Sequence, residues 1–86
     1  MQKILQPVDV IAMHSADGEM VPIRFRVENE CQERFRVDID EIIRVTQIEY
    51  VGAEATIYQC RVRSEEGSEV VELKYRFRSH SWYLLK

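Results

Sequence analysis

The sequence contains few of the residues and patterns that mark the special classes of protein. It has two cysteines, two prolines and three glycines in 86 residues, and its longest apolar runs, such as Val10 to Met13, are four residues long. A signal peptide or a membrane span needs a much longer apolar run. We therefore expect no targeting segment, no membrane association and a cytoplasmic location. Without an export signal, Cys31 and Cys60 are expected to be free thiols, Cys60 in the core and Cys31 exposed in a polar loop.

The patterns that catalysis and metal binding require are also missing. His14, His80 and the two cysteines show no CxxC or HxxxH spacing, which a metal site would need. No glycine-rich phosphate loop or nucleophile elbow occurs. Residues 79–81 (Ser-His-Ser) are adjacent, but neighbours in a tight turn rarely point at one another. We predict a protein that is not an enzyme, holds no metal or cofactor and has no evident small-molecule substrate.

The composition is that of a small folded domain. Apolar residues make up 45% of the chain and charged residues 31%, which separates it from disordered sequences. Eighty-six residues leave room for one hydrophobic core, so residues 1–86 are predicted to form a single domain. The net charge of −3 gives no bulk attraction to nucleic acid or to an anionic membrane. Any basic site has to come from the local arrangement of cations.

The dominant hydrophobic period is two, which indicates β-strands. The predicted strands cover residues 8–13, 20–28, 33–39, 45–51, 55–63, 69–78 and 82–85. All three glycines fall in the turns between them, at 15–19, 52–54 and 64–68. Short strands at this spacing predict an all-β fold, either a small antiparallel barrel or a strongly curled half-barrel of six to seven strands.

The alternation also predicts which side chains face inward. The first strand is apolar on both sides, so we expect both of its faces to be covered. In the second strand Ile23 shares the inner parity with Phe25, and Pro22 shares the outer parity. Residues 38–44 allow either one capped helical turn or a bend between sheets. The parity then slips between residues 43 and 50, which indicates a β-bulge.

Two cations flank one apolar residue in four places along the predicted strands. Because strand side chains alternate between faces, each triplet places its cations on the outer face. Nine of the twelve Lys and Arg residues follow this pattern or extend it: Arg24, Arg26, Arg34, Arg36, Arg61, Arg63, Lys74, Arg76 and Arg78. Arginine presents a planar fork of donors that suits phosphate and carboxylate groups. This set is the predicted site for phosphate or for a partner.

Three interpretations of the arginine face remain open. It forms a solvated surface, a protein interface or a track for nucleic acid. Five aromatic residues share the inner parity: Phe25, Phe35, Tyr58, Tyr75 and Phe77. The face therefore lacks the stacking platform of single-strand binders, and nearby glutamates can neutralise the arginines. Exposed strand edges also invite pairing with a second chain. We therefore predict a protein-interaction or self-association module, with a nucleic-acid-associated protein as the alternative.

Several segments resemble a known group of proteins. They are residues 22–26 (PIRFR), 35–38 (FRVD), 42–43 (II), 58–63 (YQCRVR), 71–75 (VELKY) and 81–84 (SWYL). Together they resemble small bacterial all-β domains whose function is not known, some of them encoded beside genes for lesion-bypass DNA polymerases. The resemblance implies the all-β fold, and it implies no catalytic residues.

Overall fold

The computed structural model of the chain describes residues 5–64 and 67–85. Those residues form seven strands: β1 (Leu5–Pro7), β2 (Asp9–His14), β3 (Met20–Glu28), β4 (Arg34–Ile48), β5 (Ala55–Ser64), β6 (Gly67–Arg76) and β7 (Ser81–Leu85). All neighbouring strands pair antiparallel in one strongly curled sheet with the order β1-β7-β6-β5-β4-β3-β2. The prediction of an all-β half-barrel is confirmed. Glu65 and Glu66, within the predicted turn at 64–68, lie outside the described residues.

The N-terminal segment joins the two edges of the curled sheet. Strands β1 and β2 are separated in sequence by Val8 alone, yet they occupy opposite ends of the strand order. The Val8 N–H donates to the Trp82 carbonyl over 3.2 Å, and the Gln6 side-chain amide donates to the Glu28 carbonyl over 3.2 Å. These bonds attach the same segment to β7 on one side and to β3 on the other, which gives the sheet its barrel-like shape.

The first two hairpin loops have the same geometry. In the β2–β3 loop the N–H of Gly18 donates to the Ser15 carbonyl over 3.0 Å, and Gly18 has a φ of 93°. In the β3–β4 loop the N–H of Gln32 donates to the Asn29 carbonyl over 3.0 Å, and Gln32 has a φ of 64°. Both are three-residue loops that end in a left-handed residue, a common hairpin connection. Glycine adopts that conformation freely, whereas glutamine adopts it at a cost.

Strand β4 is the longest element and contains two bulges. Its pairing with β5 shifts register between Ile39 and Glu41 and again between Ile42 and Arg44. Residues 38–44, for which the sequence allowed a helical turn or a bend, therefore continue the strand. The predicted bulge is present, although its two positions precede the parity slip at 43–50. Bulges increase local bending and twist, and here they let β4 pass from β3 to β5.

Another bulge makes the predicted facing of Ile23 and Pro22 wrong. Ile11 pairs with Arg24 and Ala12 pairs with Pro22, so Ile23 has no partner on β2. The extra residue reverses the parity of the strand start: Pro22 is buried, and Ile23 is 40% exposed. The alternation further along β3 is unaffected, so Phe25 faces the core as expected.

Further apolar side chains lie outside the core, contrary to the sequence prediction. Ile11 and Met13 are more than half exposed, so the outer face of β2 is uncovered in the described chain. Phe77, predicted inside the sixth strand, lies in the turn after β6 and is also exposed. The core itself consists of six buried side chains: Phe25, Tyr58, Cys60, Val62, Leu73 and Leu84. They come from four strands and fill the concave side of the sheet.

Candidate interaction site

The nine predicted cations lie where the alternation places them, with one exception. Eight occupy β3, β4, β5 and β6, whereas Arg78 lies in the turn at 77–80. The registers put carboxylates among them, because Arg24 and Arg63 both pair with Asp38, and Arg61 pairs with Glu41. The outer face is therefore a mixed surface of both charges.

Ion pairs occupy six of the nine cations. They are Arg24–Asp38 (4.0 Å), Arg26–Asp9 (3.1 Å), Arg36–Asp38 (3.5 Å), Arg61–Glu41 (2.8 Å), Arg63–Asp40 (3.3 Å) and Arg78–Glu54 (3.4 Å). The side chains involved are largely exposed, so water and salt screen these contacts. The face lacks the continuous run of unpaired cations that would track a phosphate backbone.

The remaining cations differ from one another. The guanidinium of Arg76 lies over the Tyr83 ring, 4.8 Å from its centroid. Within residues 5–64 and 67–85, Arg34 and Lys74 make no ion pair within 4.0 Å. Asp38 contacts both Arg24 and Arg36. The Arg24 Nε is buried and has no hydrogen-bond partner among the described residues.

An open groove lies beneath the β3–β4 hairpin. Its volume is about 770 Å³, and it runs between β3–β4 and β6–β7 at one end of the half-barrel. Apolar side chains provide most of its lining, with Val27 and Val37 on one wall and Val71 on the other. Phe35 stands at its rim and is 48% exposed. An apolar groove open to solvent on a monomer is typical of an interaction surface.

The rim of the groove coincides with an unpaired stretch of β4. Residues 34–37 pair with β3, but the pairing of β4 with β5 begins only at Asp38. No described residue pairs with 34–37 on the side away from β3. Among the described residues, this stretch therefore has a strand neighbour on one side only, and an edge of that kind is where a further strand can add.

The direction of the free backbone groups follows from the loop that precedes β4. The Asn29 N–H donates to the Glu33 carbonyl over 2.9 Å, so this pair is a hydrogen-bonded one. Hydrogen-bonded and non-hydrogen-bonded pairs alternate along an antiparallel ladder. Phe35 and Val37 accordingly bond to β3, whereas the N–H and C=O groups of Arg34 and Arg36 point to the open side. Within the part of the chain that the structure describes, these four backbone groups have no strand partner, and they lie next to an apolar groove.

The titratable groups of the core show no activated chemistry. Burial raises the pKa of the Cys60 thiol to about 11, so the thiol stays protonated at neutral pH. Burial also raises the pKa of Tyr58, whose hydroxyl donates to the Met20 carbonyl over 2.7 Å. Tyr75 and His80 share a hydrogen bond of 2.9 Å between Oη and Nδ1 in the last turn. In the described part of the chain, no three His, Cys, Asp or Glu side chains come together as metal ligands.

The groove and the open edge were not predicted from the sequence. The inner parity of the aromatic residues placed Phe35 on the side of the groove, where it is 48% exposed, but alternation does not tell where a curled sheet stays open. The one related signal was the parity slip at 43–50, which indicated a β-bulge. Among residues 5–64 and 67–85 there is also no helix with the length and apolar character needed to cross a membrane.

Comparison with known proteins does not add a relative. No protein-family model, no curated protein sequence and no solved structure matches the chain significantly. The site is therefore interpreted from its own geometry.

Proposed function

We propose that this protein is a non-enzymatic interaction module that binds an extended segment of another polypeptide. The observation that carries the proposal is the unpaired stretch 34–37 of β4 at the rim of an open apolar groove. Strand addition to a sheet edge is a recurrent way of binding peptides, in which backbone hydrogen bonds provide affinity and side-chain pockets provide specificity. Both parts are present side by side on this face.

The groove provides binding affinity that the short strand edge cannot provide by itself. Two residues with free backbone groups give at most four hydrogen bonds, each with a net contribution of about 0.5–1.5 kcal/mol. Most of the affinity then has to come from apolar burial, at about 25 cal/mol per Å². Phe35 is the side chain with most apolar area left to bury, since it is 48% exposed at the rim. Self-association would use the same edge, with a second copy supplying the added strand.

Nucleic-acid binding has less support as an alternative. Most of the predicted phosphate-binding cations already contact carboxylates of the same sheet. Phe25 and Tyr58 are buried on the concave side, and Tyr83, which lies among the cations, is already covered by the guanidinium of Arg76; single-strand binders use several exposed aromatic rings. Anisotropy of labelled oligonucleotides at about 50 mM and about 200 mM salt separates the two functions, because phosphate contacts give a steep loss of affinity with salt.

The test is a selection of peptides from a random display library on the folded protein. Each selected peptide is then measured against the wild type, Phe35→Glu and the control Val51→Glu. Val51 is 94% exposed in the β4–β5 turn, far along the chain from the groove. We expect Phe35→Glu to weaken binding at least about tenfold, because a carboxylate at the rim loses its hydration when the groove fills. Val51→Glu should leave binding unchanged.

Two further measurements make the result decisive. Circular dichroism and thermal unfolding establish that Phe35→Glu still folds, and Phe35→Ala repeats the test without adding a charge. Sedimentation velocity of the wild type shows whether the module also pairs with itself. The proposal is wrong if no peptide is selected, or if the selected peptides bind both Phe35 variants as tightly as the wild type.

A further inference from the structure

A second cleft opens where β3 and β4 separate. The two strands pair from Arg24 to Glu28 of β3, and beyond Asp38 strand β4 pairs with β5 instead. The cleft has a volume of about 430 Å³, and its lining comes from the start of β3 on one side and from β4 and β5 on the other. This volume falls in the range of small-molecule sites.

The cleft is built from described residues at one end of the half-barrel. Thr56 lies near the start of β5, whereas Ser64, next to an undescribed segment, ends that strand. Met20 begins β3, whereas Gln6 of β1 contacts Glu28 at the other end of β3. These described neighbours of the undescribed segments therefore lie away from the cleft.

Neither wall of the cleft suits an added strand. The Ser15 N–H donates to the Glu19 carbonyl over 2.8 Å, so this pair of the β2–β3 hairpin is a hydrogen-bonded one. By alternation, the backbone groups of Met20 and Pro22 point away from β2 and toward the cleft. Proline has no N–H, and the Met20 carbonyl already accepts a hydrogen bond of 2.7 Å from the Tyr58 hydroxyl. The opposite wall, β4, contains the two bulges, which break the regular spacing of its backbone groups.

The cleft contains a buried hydroxyl that the described chain does not satisfy. Thr56 is 4% exposed and lines the cleft, and its hydroxyl forms no hydrogen bond with any residue in 5–64 or 67–85. Gln47 lies directly opposite Thr56 on β4, and its side-chain amide has no partner in those ranges either. A buried polar group without a hydrogen bond is unfavourable. Two neighbouring donors are therefore available to an oxygen atom in the cleft.

The rest of the lining favours an uncharged ligand. Val45 and Phe77 are 50% and 44% exposed, and they leave apolar surface for a ligand to cover. The described lining contains no Lys, Arg or His, and its one acidic side chain is Glu19. Burial is the largest cause of the raised pKa of Tyr58, and the negative charge of Glu19 adds to it. An anion in the cleft would lose hydration and meet this charge instead of a cation.

We propose that this cleft binds a small uncharged molecule with an apolar body and one carbonyl oxygen, of the ketone or amide class. The carbonyl oxygen has two lone pairs, so it accepts hydrogen bonds from both the Thr56 hydroxyl and the Gln47 amide. The apolar body lies against Val45 and Phe77. The inference goes beyond peptide binding and does not depend on it.

Acetophenone is the first probe, and two molecules of similar shape are its controls. In α-methylstyrene a methylene group replaces the carbonyl oxygen, and benzoate carries a negative charge. Each is titrated into isotope-labelled protein while the backbone amide signals are followed by NMR. We expect acetophenone to shift the signals of Met20, Thr56 and Phe77, with saturation in the millimolar range, and benzoate to bind at least about tenfold more weakly.

The variant Thr56→Val removes the hydroxyl and keeps the shape of the side chain. It should weaken acetophenone about two- to tenfold, the range of one hydrogen bond, and leave α-methylstyrene no weaker. Thr46→Val, the same change at an exposed position on the other face of β4, is the matched control and should alter neither affinity. Thermal unfolding should find Thr56→Val at least as stable as the wild type, because within the described chain the hydroxyl has no partner to lose.

A second variant repeats the test at a position where folding is not at risk. Val45 is half exposed on the β4 wall. Val45→Asp should weaken acetophenone at least about tenfold, because the new carboxylate loses its hydration when the cleft fills.

Three results would overturn the inference. In the first, acetophenone gives no saturable shifts at millimolar concentration, or gives them only in the groove beside Phe35. In the second, benzoate binds as tightly as acetophenone. In the third, Thr56→Val weakens acetophenone no more than it weakens α-methylstyrene. The peptide selection is tested at Phe35, outside this cleft, so each of these results would leave the proposed interaction function standing.

Discussion

The two hairpin loops that share one geometry offer a direct test of how the backbone limits stability. Gly18 and Gln32 occupy the same left-handed position, with φ of 93° and 64°. Asn29 holds the second loop in place, since its Oδ1 accepts hydrogen bonds from the N–H groups of Cys31 and Glu33 over 2.9 and 2.8 Å. Gln32 is therefore kept in a conformation that a side chain disfavours, and Gln32→Gly should stabilise the fold.

The magnitude follows from two opposing terms. The left-handed conformation destabilises the folded state by about 1–2 kcal/mol for a residue with a Cβ. Replacement by glycine removes this cost, but it lowers stability by about 0.4–1 kcal/mol because the unfolded chain becomes more flexible. The net gain for Gln32→Gly is about 0.5–1 kcal/mol, or about 3–6 °C in the melting temperature of a domain this small. Gly18→Ala should lose a similar amount. A Cβ at Gly18 meets no atom within 4 Å, so steric clash does not contribute and the loss reports the backbone alone.

Thermal and urea unfolding of the two single variants measures both effects. The reasoning predicts shifts of opposite sign and comparable size. It is refuted if Gln32→Gly leaves the free energy of unfolding unchanged or lowers it, since the loop would then gain nothing from relief of the left-handed conformation. A lower free energy of unfolding in Gly18→Ala alone does not support the reasoning about Gln32.

Two further predictions concern the core. The pKa of Cys60 is about 11 in the folded protein and near 9 for a free thiol, so above pH 9 the unfolded chain releases a proton that the folded chain keeps; stability should therefore fall by up to about 1.4 kcal/mol per pH unit between pH 9 and 11. When urea unfolding is measured across that range, the free energy of unfolding should fall less steeply with pH in Cys60→Ala than in the wild type. An unchanged pH dependence contradicts the assignment to Cys60. Leu73 is fully buried, so Leu73→Ala should cost about 2–5 kcal/mol of unfolding free energy. The matched control Val70→Ala, at a half-exposed position on the same strand, should cost less than about 1 kcal/mol, and equal losses at the two sites would contradict the location of the core.

Much of the fold could be predicted because its main determinants are local. A hydrophobic period of two and glycine in the turns are properties of short windows, and they indicated six to seven antiparallel strands. The facing of Ile23 and Pro22 could not be predicted in the same way. Their parity depends on a bulge opposite β2, and a bulge position is set by the register of the partner strand rather than by the bulged segment.

In the candidate site, too, local sequence predicted some features, and the pairing of distant strands determines the others. The alternation placed the cations on the outer face, with Arg78 as the exception. The sequence predicted that nearby glutamates neutralise the arginines. The acidic residues that contact the arginines include three aspartates, Asp9, Asp38 and Asp40. Asp9 lies 17 residues from Arg26 in sequence, so only the pairing of β2 with β3 brings the two together. Contacts of this kind follow from strand order and register, which composition and periodicity leave open.

The length of β4 explains why an open edge exists and where it lies. Its fifteen residues exceed the nine of β3 and the ten of β5, so neither neighbour covers it fully. Among the described pairings, Asp38 is the one position of β4 with a partner on both sides; residues 34–37 have a partner on β3 alone, and the paired residues of 39–48 have theirs on β5 alone.

The two free edges of β4 are unequal. The bulges at Asp40 and Ile43 fall in the second edge, where they break the regular spacing of free N–H and C=O groups and turn the strand away from a partner. In the described pairings the first edge has no bulge, and it combines regular backbone groups with Arg34, Arg36 and the apolar groove. The irregularity that lets β4 change partners thus protects one edge from strand addition and leaves the other suited to it.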